Sequence, residues 1–459
     1  MTDRAFDLNI KGYSPVGVGG VRQRRAKTIF LYLIYYSILC YLYIVYLSVD
    51  WAYMGYNLYV DPVNVIVSTG VLILFALMVP IHGDVRSILL NVFLSIYLAP
   101  LLTLSAFGGH PLGSLLVSVV CSFVLFQFSN IRVPSVEFSK VTPAFFLATI
   151  AFLSIFLIML FYFFSGFSYF NLDFREVYNF REDAAESLPS LFAYLASIFS
   201  KLLIPLGVVA ALIYRLPLVA LGFVAISVLF FGFTSHKSML FYPFIAALIY
   251  FFLKRSTDYS RILILLVMAV AICVIDIAFV NMYGSESIWG WYTSLFLRRT
   301  LFVPPLLDFY YIEFFSSHAP IYWADSRLTF GLLQSPYDLS APYLIGNAYF
   351  GDDTGANTGF IGSGFAQAGW FGALLYSVGA GLTLALLNAH GRRQGVAFIS
   401  SVTIIQMMTM FSSTDFITLF LSHGVLLTFL LLGIIDRPQP RQPATRQGGR
   451  VPEGAGRFE

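Results

Sequence analysis

Apolar residues fall in long unbroken runs along this chain, not in the stripes of an amphipathic helix or the alternation of a strand. About 20 such residues carry a helix across the hydrocarbon core of a bilayer. Twelve runs qualify as candidate spans: residues 28–48, 63–80, 87–107, 112–128, 143–164, 191–213, 216–233, 239–253, 262–280, 360–387, 396–410 and 416–435. The eighth and eleventh are short, so each either extends into its flanks or forms a re-entrant piece. The pattern predicts an all-α polytopic membrane protein with a polar tail over 1–27, a transmembrane domain over 28–435 and a second tail over 436–459. The first run follows a basic tail and shows no small-residue cleavage pattern, so it is read as a retained helix and not a signal peptide.

Polar segments interrupt the runs unevenly. Most connections are short, but residues 166–189 and 281–359 form two long loops, and long loops in compact proteins usually carry function. Within the second, Trp289-Gly-Trp-Tyr-Thr-Ser-Leu-Phe-Leu-Arg-Arg and Leu306-Leu-Asp-Phe-Tyr-Tyr-Ile-Glu-Phe-Phe read as short interfacial helices, broken at Pro304-Pro305. The Gly-rich stretch before the tenth span reads as a tight entry into a helix, with Asn357 or Thr358 as its N-cap. The tail after Asp436 is rich in Pro, Arg, Gln and Gly and reads as disordered.

Composition sharpens this picture. Apolar residues make up 58% of the 459 positions and charged residues 11%, with a mean hydropathy of +0.79. Soluble domains carry about 25% charge, so this chain cannot clothe several water-facing cores. A disordered protein and a disulfide scaffold are excluded on the same ground, and a net charge of +3 is too small for a nucleic-acid binder. The three cysteines, Cys40, Cys121 and Cys273, lie inside apolar runs and read as small buried hydrophobes.

Charge placement sets orientation, because Lys and Arg gather on the cytoplasmic side of spans. With an N-terminus inside, 20 of the 27 basic residues fall on that side. They lie in both tails and at Arg86, Arg132, Lys140, Arg215, Lys254, Arg255, Arg261, Arg392 and Arg393. Six fall outside (Arg175, Arg181, Lys237, Arg298, Arg299 and Arg327), and Lys201 lies within the sixth span. Both termini are therefore expected in the cytoplasm.

The six outward cations are the first candidates for chemistry. Guanidinium groups match phosphate oxygens in a planar fork, which singles out Arg175, Arg181, Arg298 and Arg299. The alternative is pairing with local acids such as Glu176, Glu182, Asp183 and Asp308. Lys237 sits in a very short turn, where it either meets a lipid headgroup or simply snorkels from a helix end. Asp352 and Asp353 either supply a general base for a sugar hydroxyl or form an ordinary Asx turn. Their spacing does not fit a calcium loop. No metalloprotease, thiol-pair, P-loop or dinucleotide pattern occurs, so neither a metal nor a cofactor is expected.

Three segments resemble bacterial O-antigen polymerases of the Wzy type and their relatives, the O-antigen ligases. Ala356-Asn-Thr-Gly-Phe-Ile-Gly-Ser-Gly-Phe-Ala-Gln-Ala-Gly-Trp-Phe-Gly looks like the Asn- and Gly-rich helix entry after that family's large loop. Thr234-Ser-His-Lys-Ser-Met-Leu is similar to its short periplasmic turn bearing Arg or Lys, and Arg298-Arg-Thr-Leu-Phe-Val-Pro to its large-loop arginine. The layout of about a dozen spans with two enlarged periplasmic loops is shared. Lys237 departs from the Arg more usual in ligases, which keeps a point charge but removes the fork.

The resemblance implies an inner-membrane glycosyltransferase that polymerises undecaprenyl-diphosphate-linked repeat units by inverting, metal-independent transfer. Its implied partners are those lipid-linked glycans, the bilayer and a chain-length regulator protein. Lys237, Arg298 and Arg299, with Arg175 or Arg181, would hold the diphosphate. Asp352, Asp353 or Glu182 would act as base. Trp289, Trp291, Tyr310, Tyr311 and Asn357 would meet sugars, unless the aromatics only form an interfacial belt. Rival readings are a ligase, a flippase for the same lipid-linked sugar, and an inactive membrane subunit. A transporter should hold charge and broken helices near mid-membrane, and only Lys201 and Asp276 lie inside predicted spans.

Overall fold

The computed structural model describes residues 18–81, 83–165, 170–173, 190–284, 289–324, 329, 332–351 and 354–435. Among them the fold is all-α, with no strand. In lipid every backbone N–H and C=O must be satisfied within its own segment, so uninterrupted apolar runs fold as helices.

Nine helices of the described residues are long and apolar enough to cross a membrane. They are α1 (Arg22–Asp50), α3 (Val85–Phe107), α5 (Pro143–Phe164), α6 (Leu191–Ile213), α7 (Pro217–Thr234), α8 (Lys237–Arg255), α9 (Ser260–Tyr283), α12 (Phe360–Gln394) and α14 (Phe416–Ile434). Three apolar helices of 17 residues, α2 (Pro62–Met78), α4 (Leu112–Phe128) and α13 (Val396–Ser412), occupy the second, fourth and eleventh predicted runs. The eighth run extends to a full 19 residues in α8. Two shorter helices, α10 (Val303–Ser317) and α11 (Ala341–Phe350), fall in the 281–359 segment.

The bundle is layered by burial. α3 is enclosed on every side and α6 largely so, whereas α1, α5, α8 and α9 turn most of their surface outward. That outer surface is apolar, with side chains such as Phe163 and Met268 exposed, as a lipid-facing shell requires. At the centre Phe93 of α3, stacked on Tyr97 of the same helix, meets Phe126 of α4, Phe360 of α12 and Phe411 of α13. α12 runs against α3, α4, α10 and α13. Its approach is close because it carries glycine at the contacts: a Cβ on Gly381 would meet the Leu125 carbonyl oxygen at 2.8 Å, and one on Gly391 would collide with Val85.

Of the four π-helical turns among the described residues, three precede a proline. π-helical turns occupy Leu94–Leu98, Phe199–Leu203 and Ser294–Phe302, and Pro100, Pro205 and Pro304 follow them closely. A proline has no N–H for the carbonyl four residues back and its ring crowds that carbonyl, so the turn widens. This corrects the expected break at Pro304-Pro305. The prolines fall in the first turn of α10, where a missing N–H costs little, and the chain runs from the π segment into α10 without interruption.

Candidate functional site

A cavity of about 600 Å³ opens at the end of the bundle where α12 begins. The 340–342 segment, Asn357, Thr358 and the connection from α13 to α14 contribute to its lining. Three helices form its walls, and each departs from regular geometry there.

The first wall is α6. Lys201 lies within the Phe199–Leu203 π turn, four residues before Pro205, and its side chain reaches the cavity. Its Nζ stands 3.0 Å from Nδ1 and 3.1 Å from Nε2 of His423. No ion pair joins Lys201 to a carboxylate among the described residues. A neutral imidazole offers one lone pair, so the contact needs a proton on one partner and a lone pair on the other.

The second wall is α14, which His423 interrupts. Regular helix stops at Leu421 and resumes at Val425, with Gly424 at φ 78° between. Gln406 of α13 holds the break: its Nε2 donates to the His423 carbonyl (2.8 Å), and its Oε1 accepts from the Thr428 hydroxyl (2.9 Å). Asp415 caps the start of α14, its Oδ1 accepting from Thr418 N at 3.0 Å, and lines the same cavity.

The third wall is α12, which is kinked at Ala368 and Gly369 (φ 57°). The 321–323 segment repairs the exposed carbonyls: Ile321 N donates to Ala366 O (3.0 Å) and Tyr322 N to Gln367 O (2.9 Å). Trp323 N donates to Gln367 Oε1 at 2.7 Å. Tyr322 and Trp323 take φ of 52° and 61° to do so, a conformation non-glycine residues adopt only when bonds hold them there.

A buried joint fastens α10 to this wall. Asp308 is fully buried, accepts from the hydroxyls of Tyr97 and Thr358, and accepts from Gly362 N at 3.1 Å. It thereby caps α12 from another element. The expected caps do otherwise: Gly359 occupies the N-cap position, and Thr358 turns to Asp308. Burial raises the Asp308 carboxyl to about 6, against the pull of these donors.

No protein-family model matches this chain, and no curated protein and no solved structure is significantly similar to it.

Of the residues singled out from sequence, Tyr311 and Asn357 line the cavity. Tyr311 is buried and donates to Ala356 O at 2.9 Å, so it meets the space as part of the wall. Tyr310 is packed away, stacked on Tyr349 at 4.0 Å with its hydroxyl on Met54 O. Trp289 stacks on Phe279 at 4.4 Å, and Trp291 is exposed. Lys237 opens α8 half-buried, after Ser235 at φ 52°, and Arg299 is exposed. Asp352, Asp353, Glu182, Arg175 and Arg181 lie outside the described residues.

Of the large-loop arginines, Arg298 is buried and Arg299 exposed, and Arg327 lies outside the described residues. The Arg298 guanidinium lies 3.7 Å from the Trp51 ring centre, with Nη2 donating to Ser294 Oγ at 3.2 Å. Burial, followed by the neighbouring Arg299, pushes it below the usual guanidinium range. Asp308, an expected acid partner, instead serves the joint described above. Asp276, the other charge inside a predicted span, accepts from Gly290 N and Thr293 N (2.9 and 3.0 Å), fastening the loop to α9.

Lys201, His423 and Asp415 were not among the sequence candidates. The spacing Lys201-x-x-x-Pro205 is the signal that could have drawn attention to the first.

Proposed function

We propose that this chain is a multi-pass membrane glycosyltransferase of the polysaccharide-polymerase type, acting on undecaprenyl-diphosphate-linked repeat units. Support comes chiefly from one observation: a cavity of about 600 Å³ lined by Lys201, His423 and Asp415 together with uncharged polar side chains. The volume falls within the range of roughly 300–1,000 Å³ that small-molecule sites occupy. In this reading the termini face the cytoplasm of an inner membrane and the cavity faces the periplasm.

The chemistry needs a cation at the leaving group and a base at the acceptor. The acceptor hydroxyl oxygen attacks the anomeric carbon, the bond to the lipid diphosphate breaks, and the hydroxyl proton goes to a carboxylate. Lys201 takes the developing diphosphate charge, with Lys237, Arg299, Arg175 and Arg181 guiding the lipid-linked substrate from the loops, while Arg298, buried against Trp51, secures its loop. Asp415 joins Asp352, Asp353 and Glu182 as a base candidate. No metal or cofactor enters these steps.

The test uses purified protein in proteoliposomes with the lipid-linked repeat unit. Extension of the glycan, lost in Lys201→Met and kept in Arg255→Ala, is the expected result. A second reading is favoured by the irregular helices at all three walls, an arrangement transporters use: the cavity carries the lipid-linked sugar across the bilayer. Translocation without extension in the same vesicles would replace the first reading by the second.

A further inference from the structure

A second cavity, of about 510 Å³, lies at the opposite end of α12 from Lys201. Arg86 reaches it from the first turn of α3, Arg132 from the connection after α4, and Arg392 from the last turn of α12. The convergence is built by α12 itself. Its Gly381 lies against the end of α4, where a Cβ would stand 3.1 Å from Ser129 N, and its Gly391 leaves no room before Val85. These two approaches draw the ends of α3 and α4 onto the same helix.

Three guanidinium groups thus share one space with one carboxylate among the described residues, Asp84. That carboxylate is largely occupied. Its Oδ1 accepts from Ser87 N (2.7 Å), and its Oδ2 accepts from Asn388 Nδ2 (3.2 Å) while facing Arg86 Nη2 at 3.4 Å. Arg86 Nη1 donates to Asn130 Oδ1 at 2.5 Å, but its buried Nε has no partner. Arg392 makes a long contact to Val133 O at 3.3 Å, and Arg132 is exposed. The cavity therefore holds a formal surplus of positive charge and guanidinium donors that the protein leaves unused. Planar donor forks of this kind match phosphate oxygens.

We propose that this cavity binds a phosphate group through Arg86, Arg132 and Arg392. The group comes either from the headgroup of an anionic phospholipid, drawn to basic pockets between membrane helices, or from a soluble phosphate ester. The site is separate from the Lys201 cavity and does not depend on the glycosyl-transfer reading.

The experiment uses the full chain, delipidated in an uncharged detergent, with thermal unfolding followed during titration. The probes are phosphatidylglycerol, glycerol 3-phosphate and, as a neutral control, phosphatidylcholine. Saturable stabilisation by phosphatidylglycerol alone assigns the lipid source, and stabilisation by glycerol 3-phosphate assigns the soluble one. In either case Arg392→Ala and the exposed Arg132→Ala should each weaken the apparent Kd roughly tenfold, about 1.4 kcal/mol, while Arg255→Ala leaves it unchanged. A wild-type response to neither anionic probe would overturn the proposal. So would an unchanged Kd in a monodisperse Arg132→Ala, Arg392→Ala double variant.

Discussion

Replacing Asp308 by alanine removes the acceptor that the Tyr97 hydroxyl, the Thr358 hydroxyl and Gly362 N share in the bundle interior. A buried donor left unsatisfied costs about 1–3 kcal/mol. The hydroxyls can rotate toward other oxygens and Gly362 N cannot, so a total loss of roughly 3–6 kcal/mol is expected. Unfolding entropy near 2.1 cal/mol/K per residue gives roughly 1 kcal/mol/K for 459 residues. The unfolding midpoint in detergent should therefore fall by about 3–6 °C. Asp308→Asn keeps one oxygen for Thr358 and Gly362 and asks only Tyr97 to turn and accept, so its loss should be about 1 kcal/mol.

The same residue carries a pH signature. Its carboxyl rises from an ordinary 3.8 to about 6 in the folded chain, which corresponds to about 3 kcal/mol at ~1.4 kcal/mol per pH unit. Because the folded value lies above the unfolded one, this contribution is full below about pH 4 and is lost as pH rises through about 6. Asp308→Asn abolishes that titration, so the wild type should lose ground relative to it between about pH 4 and 7. The assay is the fraction of monodisperse protein after heating at a series of pH values. Equal midpoints for Ala, Asn and wild type across that series would refute the account of the joint.

Three further outcomes follow from the same geometry. Gly362→Ala, whose methyl group would collide with Asp308 Oδ1 and crowd Thr358, should lower the midpoint as Asp308→Ala does. The double variant should fall short of the sum, as neighbours sharing one joint do. On the proposed glycosyl-transfer reading, Lys201→Met should reduce glycan extension roughly 100-fold or more, the scale of losing one preorganised charge contact, with membrane-inserted yield unchanged; near-normal turnover would remove Lys201 from the site. Arg298→Ala should cost about 1–2 kcal/mol through its lost stacking on Trp51, read as a lower midpoint and greater quenching of tryptophan fluorescence by iodide, with Arg298→Lys in between.

The helices were legible because lipid leaves the backbone few choices. α9 (Ser260–Tyr283) and α12 (Phe360–Gln394) extend the runs seen at 262–280 and 360–387 by a few residues, and the other long helices differ as little. The cavity was far less legible. Charge counting directs attention to cations on the wrong side of the membrane, and by that measure one lysine inside a span is an exception to set aside. That Lys201 meets His423 depends on two helix irregularities 222 positions apart, which no local pattern couples. The Gly-rich run after Ala356 was visible as unusual, yet its physical reason came from elsewhere. Gly362 admits the carboxylate of α10, and Gly369 provides the kink that the 321–323 segment then repairs.

These irregularities share one consequence. A regular helix spends its backbone groups on itself, so a cavity walled by regular apolar helices would offer a sugar or a diphosphate nothing to bond. At the π turn of α6, the kink of α12 and the gap in α14, the polar residues Lys201, Gln367 and His423 line one space. Two of these departures are held from a distance, by Gln406 at His423 and by the 321–323 segment at Gln367, and Asp308 holds the start of α12 in the same way. Tyr311 lies three residues after Asp308 on α10, on the same helical face, and is itself part of the cavity wall. The joint that stabilises the bundle thus also positions the site, so loosening Asp308 should disturb substrate handling even where the chain stays folded.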